Sequence, residues 1–261
     1  MTHVTMDTAA ASDIHLGSKR SHVRVLHRIW ETLYHHSAPR QFVIVGDFVD
    51  HISDLTEGDE LFSERKFARL PKSHRAFMEF LAAVHHEGVS KVIVIEGNHD
   101  RNKHERLIRL RTPYLPYPLV ESLRWELAGQ TWLAIHGHTL DPEWLHHRWV
   151  PELATTVFRG AVERLDTHDG RFSRWVEKRA TTGRRKFLCR LLPPALAAYG
   201  ATAGADHVIG GHSHEAVRGT RFKLGERAVV SHNCGCWVND ECSWLSVNAA
   251  GGVQLHTVEI G

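Results

Sequence analysis

The chain has 261 residues, of which 42% are hydrophobic and 24% charged, with a formal net charge of +2. That length suits one large domain, or one domain with an insertion, and the near-neutral balance excludes a whole-molecule field that demands nucleic acid or membrane. No run of about 18 apolar residues is present to span a bilayer, Met1 to Asp7 lack the basic cluster and apolar core of a secretory signal, and four cysteines without framework spacing suit a reducing, cytoplasmic compartment.

Val4–Ala11 is the expected first strand. It is small and partly polar for a core strand, and the Asp-x-His that follows it is the reason to read it as one. Between Ser21 and His36 apolar residues recur at helical spacing, with Val23, Leu26, Ile29, Trp30 and Leu33 on one face. Gln41–Gly46 is an apolar, β-branched run and predicts a buried strand; Lys91–Ile95 does the same, and Ser73–Glu87 between them predicts a second helix. This alternation implies parallel strands joined by crossover helices. Arg124–Leu127 and Gln130–Ile135 predict a hairpin around Ala128-Gly129. After Gly204, short strands follow at His207–Ile209, Ala216–Phe222, Ala228–Ser231, Cys242–Val247 and Val253–Val258. Two packed sheets with helices outside them are the expected result.

From Asp141 to Ala205 the pattern is helical and basic, with 11 Lys/Arg against 7 Asp/Glu, and it carries Trp144, Trp149, Phe158, Phe172, Trp175 and Phe187. We read residues 141–205 as a helical cap inserted into a core formed by 1–140 and 206–261. The chain has 22 histidines. The pairs His35-His36, His85-His86 and His146-His147 read as solvated surface, so the weight rests on histidines inside motifs. Cys234 and Cys236 form a C-x-C with Cys242 nearby. No second well-spaced pair completes a zinc site, so they read as unpaired thiols in strands and turns.

Five motifs built from Asp, Asn and His recur in order: Asp13-Ile14-His15, Gly46-Asp47-Phe48-Val49-Asp50, Gly97-Asn98-His99-Asp100, His136-Gly137-His138 and Gly211-His212-Ser213-His214. Several follow strands. Asp13 and His15, two apart at a strand end, would share a face and point at one metal. Asp47 can bridge two cations, because its two oxygens accept independently, and Gly46 lets the chain turn there. Asn98 offers a carbonyl oxygen. His99, next to it, is placed to give a proton to a leaving oxygen, with Asp100 fixing its tautomer. Asp50 either orients a neighbouring ligand or caps a helix, and His138 is given a non-ligand role. Asp13, His15, Asp47, Asn98, His136, His212 and His214 are thus seven candidate ligands for two divalent ions. Two such ions would clamp a phosphate and activate water for attack on phosphorus.

The ordered set D-x-H, G-D-x-x-D, G-N-H-D, H-G-x and G-H-x-H, running from residue 13 to residue 214, resembles the calcineurin-like metallophosphoesterase superfamily. The resemblance implies an α/β fold of the four-layer α-β-β-α sandwich type and a metal-dependent hydrolase. Within the superfamily the chain looks most like the UDP-2,3-diacylglucosamine diphosphatase group. The similar stretches are Ser12–Ser18, His136–Leu140 with a helical insertion after it, and Asn233–Val238. His138 stands where that group usually has Asp. This resemblance implies two metal ions, manganese foremost with iron or zinc as alternatives. It also implies hydrolysis of a lipid-linked nucleotide sugar of the lipid A precursor type to sugar 1-phosphate and UMP, at the inner face of the membrane. The cap would grip acyl chains, and Arg184, Arg185 and Lys186 are candidates for the pyrophosphate. The alternatives are a nucleic-acid or nucleotide phosphodiesterase, for which Arg101 after G-N-H-D and a basic cap would also serve, and a non-catalytic scaffold. The scaffold is expected to have lost ligands, whereas all seven are present. The protein-phosphatase branch fits less well, because Asp50 is followed by His51 rather than by Arg-Gly.

Overall fold

The computed structural model describes residues 6–50, 68, 70–100, 119–141 and 171–260, with 171–186 described in their backbone alone. His51, Arg101, His146-His147, residues 142–170 of the expected cap, and the side chains of Phe172, Trp175, Arg184, Arg185 and Lys186 lie outside that description.

Two sheets make the centre. The first contains β1 (Met6–Ala11), β2 (Gln41–Val45), β3 (Lys91–Ile95), β4 (Leu119–Val120), β10 (Glu241–Asn248) and β11 (Val253–Glu259), in the order β11-β10-β1-β2-β3-β4. The second contains β5 (Leu123–Leu127), β6 (Gln130–Ala134), β7 (His207–Gly210), β8 (Ala216–Leu224) and β9 (Arg227–Cys234), in the order β5-β6-β7-β9-β8. β1, β2 and β3 are mutually parallel, as are β6, β7 and β9. Helices α1 (Val23–Ser37) and α2 (Lys72–Glu87) are the expected crossovers, and α3 (Arg171–Thr202) precedes β7. The hairpin forms where expected, with Ala128 at φ 51° and Gly129 at φ 71° between the paired Leu127 and Gln130, the positive dihedrals that a two-residue hairpin turn requires.

Strand alternation sorts side chains into three layers of core. Ala9, Ala11, Phe42, Ile44, Val92 and Val94 face outward from the first sheet, onto Leu26 and Trp30 of α1 and Phe77 and Leu81 of α2. Ala10, Val43, Val45 and Ile95 face the second sheet and pack with Trp125, Trp132, Ala134 and Ile209. Leu133, Ile135, Val208 and Val229 face outward from the second sheet, onto Leu192, Leu196 and Ala197 of α3. The order is therefore helices, sheet, sheet, helix: the four-layer sandwich. The smallness of β1 now has a reason. It lies between β10 and β2 with both faces covered, and its alanines share their layers with Trp30, Trp237, Trp125 and Trp132. Small residues at the centre leave room for those rings.

The expected cap needs its boundary revised. Its C-terminal part, from Leu188 through Ala197, is the outer helical layer of the sandwich, because Leu188, Leu192, Leu196 and Ala197 are buried. Gly200 comes so close to the sheet that a Cβ there would lie 2.2 Å from Val208. Phe187 and Leu191 stay exposed on the other side of the helix.

Two histidines outside the motifs, His207 half-buried and His232 buried, lie on the second sheet. Trp125, Trp132 and His207 stack in a row across β5, β6 and β7, and the ring of His207 lies 4.0 Å from that of Trp132. His232 continues the row, sharing a 3.1 Å hydrogen bond with His207. Burial, then His207 and Arg218, push His232 down to about 3. Its folded value lies below its unfolded one, so the stability it contributes is present above about pH 6.5 and drains away as pH falls towards 3. The His232→Gln variant should therefore lose stability less steeply than the parent between about pH 6.5 and pH 4, by up to about 1.4 kcal/mol per pH unit. Parallel denaturation slopes for the two proteins would show that His232 is not held neutral by the fold.

Candidate metal centre

All five motifs sit at the carboxyl ends of parallel strands, the edge at which open α/β sheets bind ligands. Asp13 and His15 follow β1, Asp47 and Asp50 follow β2, and Asn98, His99 and Asp100 follow β3; His136 follows β6, and His212 and His214 follow β7. The first two loops are zipped together by backbone bonds: Asp13 N–H donates to the Gly46 carbonyl, His15 N–H to Asp47, Leu16 N–H to Phe48 and Asp50 N–H to Leu16, at 2.8–3.0 Å. The ladder between β1 and β2 thus continues past the strands into the metal loops.

The expectation that Asp13 and His15 use the pleat of a strand is corrected. β1 ends at Ala11. Among the described residues six non-glycines have left-handed φ, and five of them are Asp13, His15, Asp47, His212 and His214. A non-glycine in that region costs on the order of 1 kcal/mol or more, although Asp and His tolerate it better than most. Here it turns alternate side chains inward while Ile14 between them fills the outer core. Glycines stand where the loops touch. A Cβ on Gly46 would lie 2.3 Å from the His136 ring, one on Gly97 2.1 Å from Asp47 Oδ1, and one on Gly211 2.7 Å from Asp13 Oδ2.

Donor atoms converge in two overlapping groups. Asp13, His15 and His214 form one, and Asp13, Asp47 and His136 form the other; within each, the donor atoms lie within 4.8 Å of one another. Each Asp13 oxygen has its own task. Oδ2 accepts from the Ser12 hydroxyl at 2.6 Å and from the His212 N–H at 3.0 Å, while Oδ1 lies 3.1 Å from His214 Nε2. His136 Nδ1 donates to the Val45 carbonyl at 2.8 Å, which turns Nε2 toward Asn98 Oδ1 at 3.3 Å and Asp47 Oδ1 at 3.4 Å. His212 stands beside His136, ring centroids 5.3 Å apart, and its Nε2 donates to Asp141 at 3.0 Å. Sequence reasoning missed Asp141: one acidic residue after His-Gly-His carries no motif. It also missed Ser12 as a partner of Asp13, and Asn233, whose amide donates to the Gly211 carbonyl at 2.6 Å.

A third convergence brings together His15, Asp50 and His99. Asp50 Oδ1 lies 3.2 Å from His99 Nδ1 and 3.5 Å from His15 Nδ1, which leaves Nε2 of both rings facing Asp47, at 3.9 and 3.8 Å. The carboxylate at His99 Nδ1 is thus Asp50. Asp100, expected in that place, instead accepts the backbone N–H groups of Gly97, Val49 and Phe48, at 2.8, 2.9 and 3.3 Å. It holds the second loop to the third. His138 is buried beside His136, ring centroids 5.4 Å apart. His99, Asp50 and His214 are partly exposed and mark the open side; Asp13, His15, Asp47, His136 and His212 are buried.

These residues fit a pair of divalent cations. His15 Nε2 is buried with no hydrogen-bond partner among the described residues, and the buried carboxylates of Asp13 and Asp47 share the pocket with four imidazoles. Donors around an ion bound at about 2.0–2.2 Å lie within about 4.4 Å of one another, close to the spacing here. The electrostatics agree. Burial alone would raise the Asp13 carboxyl, but His214 and His136 outweigh it and hold it down to about 2. Asp47 is likewise held well below its ordinary range against burial, by His136 and His99. Burial lowers His15 and His212, keeping neutral imidazoles ready to coordinate. His136 is driven the other way, up to about 9, because Asp47 and Asp13 overcome its burial. In the metal-free protein a proton on His136 therefore does part of the work of a cation. It contributes stability that is complete below about pH 6.5 and lost as pH rises through about 9. Cation uptake between about pH 7 and pH 9 should accordingly release protons, and affinity should rise with pH across that window. Calorimetry in buffers of different ionisation enthalpy reads the proton count; uptake without proton release would contradict the arrangement.

Comparison with known proteins agrees with this geometry. Among solved structures, similar chains include an archaeal phosphodiesterase (13% identity, 97% of this chain and 100% of that chain covered, TM-score 0.46). Others are Vps29 of Entamoeba histolytica complexed with zinc (12%, 97% and 99%, 0.42) and a Streptococcus pneumoniae protein described as a predicted phosphoesterase (12%, 97% and 89%, 0.42). No curated protein matches the chain. The family model for calcineurin-like phosphoesterases matches residues 6–216, a span that contains every motif described above. The chain belongs to the calcineurin-like phosphoesterase family and is a metal-dependent hydrolase.

Proposed function

We propose that the chain hydrolyses a phosphoric anhydride or diester, with Asp13, His15, Asp47 and His214 holding one divalent cation and Asp47, Asn98, His136 and His212 holding a second. The observation that carries this reading is the Asp50–His99 pair set on the open rim of the ligand cluster. When bound, two such cations neutralise phosphate charge and activate water for in-line attack. His99 keeps its Nδ1–H on Asp50, so its Nε2 faces the reacting phosphate. As the bond from phosphorus to the leaving oxygen breaks, the proton on Nε2 passes to that oxygen. Asp50 also steadies His15, so the proton donor and one metal ligand are held by a single carboxylate.

His99→Ala should slow turnover of an ester with a poor, alkoxide-like leaving group by about 100-fold or more. It should slow a p-nitrophenyl ester much less, with metal content unchanged. Equal losses on both esters, or loss of metal, would remove His99 from the proton-donor role.

We infer that the natural substrate is a UDP-linked diacylglucosamine, cleaved to the sugar 1-phosphate and UMP, with manganese as the metal and the cytoplasmic face of a membrane as the place of work. The support is the likeness of Ser12–Ser18, His136–Leu140 and Asn233–Val238 to that group, and the exposed Phe187 and Leu191 on α3 next to the Arg184-Arg185-Lys186 run. Among the described residues no helix is long and apolar enough to cross a membrane, so contact with lipid would be peripheral. The manganese-loaded protein should cleave the diacylated nucleotide sugar in mixed micelles far faster than its unacylated counterpart. Rapid cleavage of DNA with the lipid left intact would overturn this choice in favour of a nuclease.

A further inference from the structure

Asp141 has no place in the motifs, yet it is among the most buried acids of the chain, 1% exposed, and its carboxylate reaches one side chain of the cluster. His212 Nε2–H donates to Asp141 Oδ2 at 3.0 Å, while the backbone N–H of the same residue donates to Asp13 Oδ2 at 3.0 Å. The imidazole is thereby held at one nitrogen and at its own backbone, in a left-handed conformation. The ring stands beside that of His136, centroids 5.3 Å apart, and the nitrogen not engaged with Asp141 is Nδ1. Asp141 is itself held in place: it ends the short 3₁₀ turn His138–Leu140, and its N–H donates to the His138 carbonyl at 3.2 Å. Leu140 packs into the cluster under α3, and Gly137 approaches that helix so closely that a Cβ would meet Leu192 at 3.2 Å.

We propose that Asp141 is a positioning residue for the second cation, fixing the Nε2–H tautomer and ring angle of His212 so that Nδ1 presents its lone pair to the ion. Carboxylates behind metal-bound histidines act in this way and are worth about 10–100-fold in metal affinity. The parallel with His136 is close, since there a backbone carbonyl holds Nδ1 and frees Nε2. The two histidines of the second site thus use opposite nitrogens, each set by an acceptor outside the ligand set. The inference rests on the two-cation reading above and adds a residue to it.

The test needs no substrate. In the metal-free protein, nitrogen-15 correlation spectra of the imidazoles should show His212 as the Nε2–H tautomer; Asp141→Ala should release it into a mixture, and Asp141→Asn, which keeps an acceptor oxygen, should restore it. Metal titration should then show Asp141→Ala weakening one of two ions by about 10–100-fold, the other unchanged, with Asp141→Asn in between. If wild type binds two ions and Asp141→Ala binds both as tightly, with the tautomer unaltered, the positioning role is wrong while the two-cation reading stands. If wild type itself takes up fewer than two ions, that reading fails first. Should Asp141→Ala not fold, the wild-type tautomer and the Asn variant still decide: Nδ1–H on His212 in the wild type overturns the proposal.

Discussion

Two carboxylates, those of Asp13 and Asp47, face a common pocket from which water is almost excluded, with residue exposures of 0% and 2%. Leaving ionised groups in such a place without compensation costs several kcal/mol each. Much of the surrounding structure answers that constraint. Histidines arrive from both sheets, and where they must substitute for a cation they are driven to hold protons. Glycines stand wherever a side chain would keep the loops apart. Five candidate ligand residues accept left-handed backbone, and in the pairs Asp13/His15 and His212/His214 this brings donors inward at a two-residue spacing. Strain of this kind persists because the flanking backbone over-determines it: Asp13, His15, Leu16 and Asp50 are each tied across to the neighbouring loop.

A second set of acids does not touch the ligand cluster in the same way. Asp100 gathers backbone amides, Asp50 orients two imidazoles and Asp141 orients one. Asp100 differs from the ligand acids: burial and the charge of Asp47 lift it to about 6. Residue type therefore does not reveal task here. Three aspartates within or beside motifs differ in what their oxygens accept, and that is a property of the folded loops.

What could be read in the chain beforehand follows the same division. The apolar, β-branched runs of β2 and β3, the helical face of α1 and the Ala128-Gly129 turn depend on local chemistry, and each appears where its pattern places it. Asp13, His15, Asp47, Asn98, His136, His212 and His214 could be gathered because their motifs fall at strand ends. Asp50 could be read as orienting a neighbouring ligand, but that it rather than Asp100 stands at His99 Nδ1 could not, since this depends on which loop lies over which. Asp141 acts on His212 across 71 residues, and such a long-range pair leaves no spacing to recognise. The outer helical layer was hidden for a related reason. Leu188, Leu192 and Leu196 are an ordinary apolar stripe, and the basic residues before them made the whole stretch look like an insertion.

The candidate ligands are divided between the sheets: Asp13, His15, Asp47 and Asn98 come from the first, and His136, His212 and His214 from the second. Away from the site the sheets meet through side-chain packing around Val43, Val45, Trp132 and Ile209. A cation bound between them would also be a rivet through the seam of the sandwich. Its binding free energy would favour the docked arrangement of the two sheets, so metal supply and mechanical integrity would be set by the same few atoms.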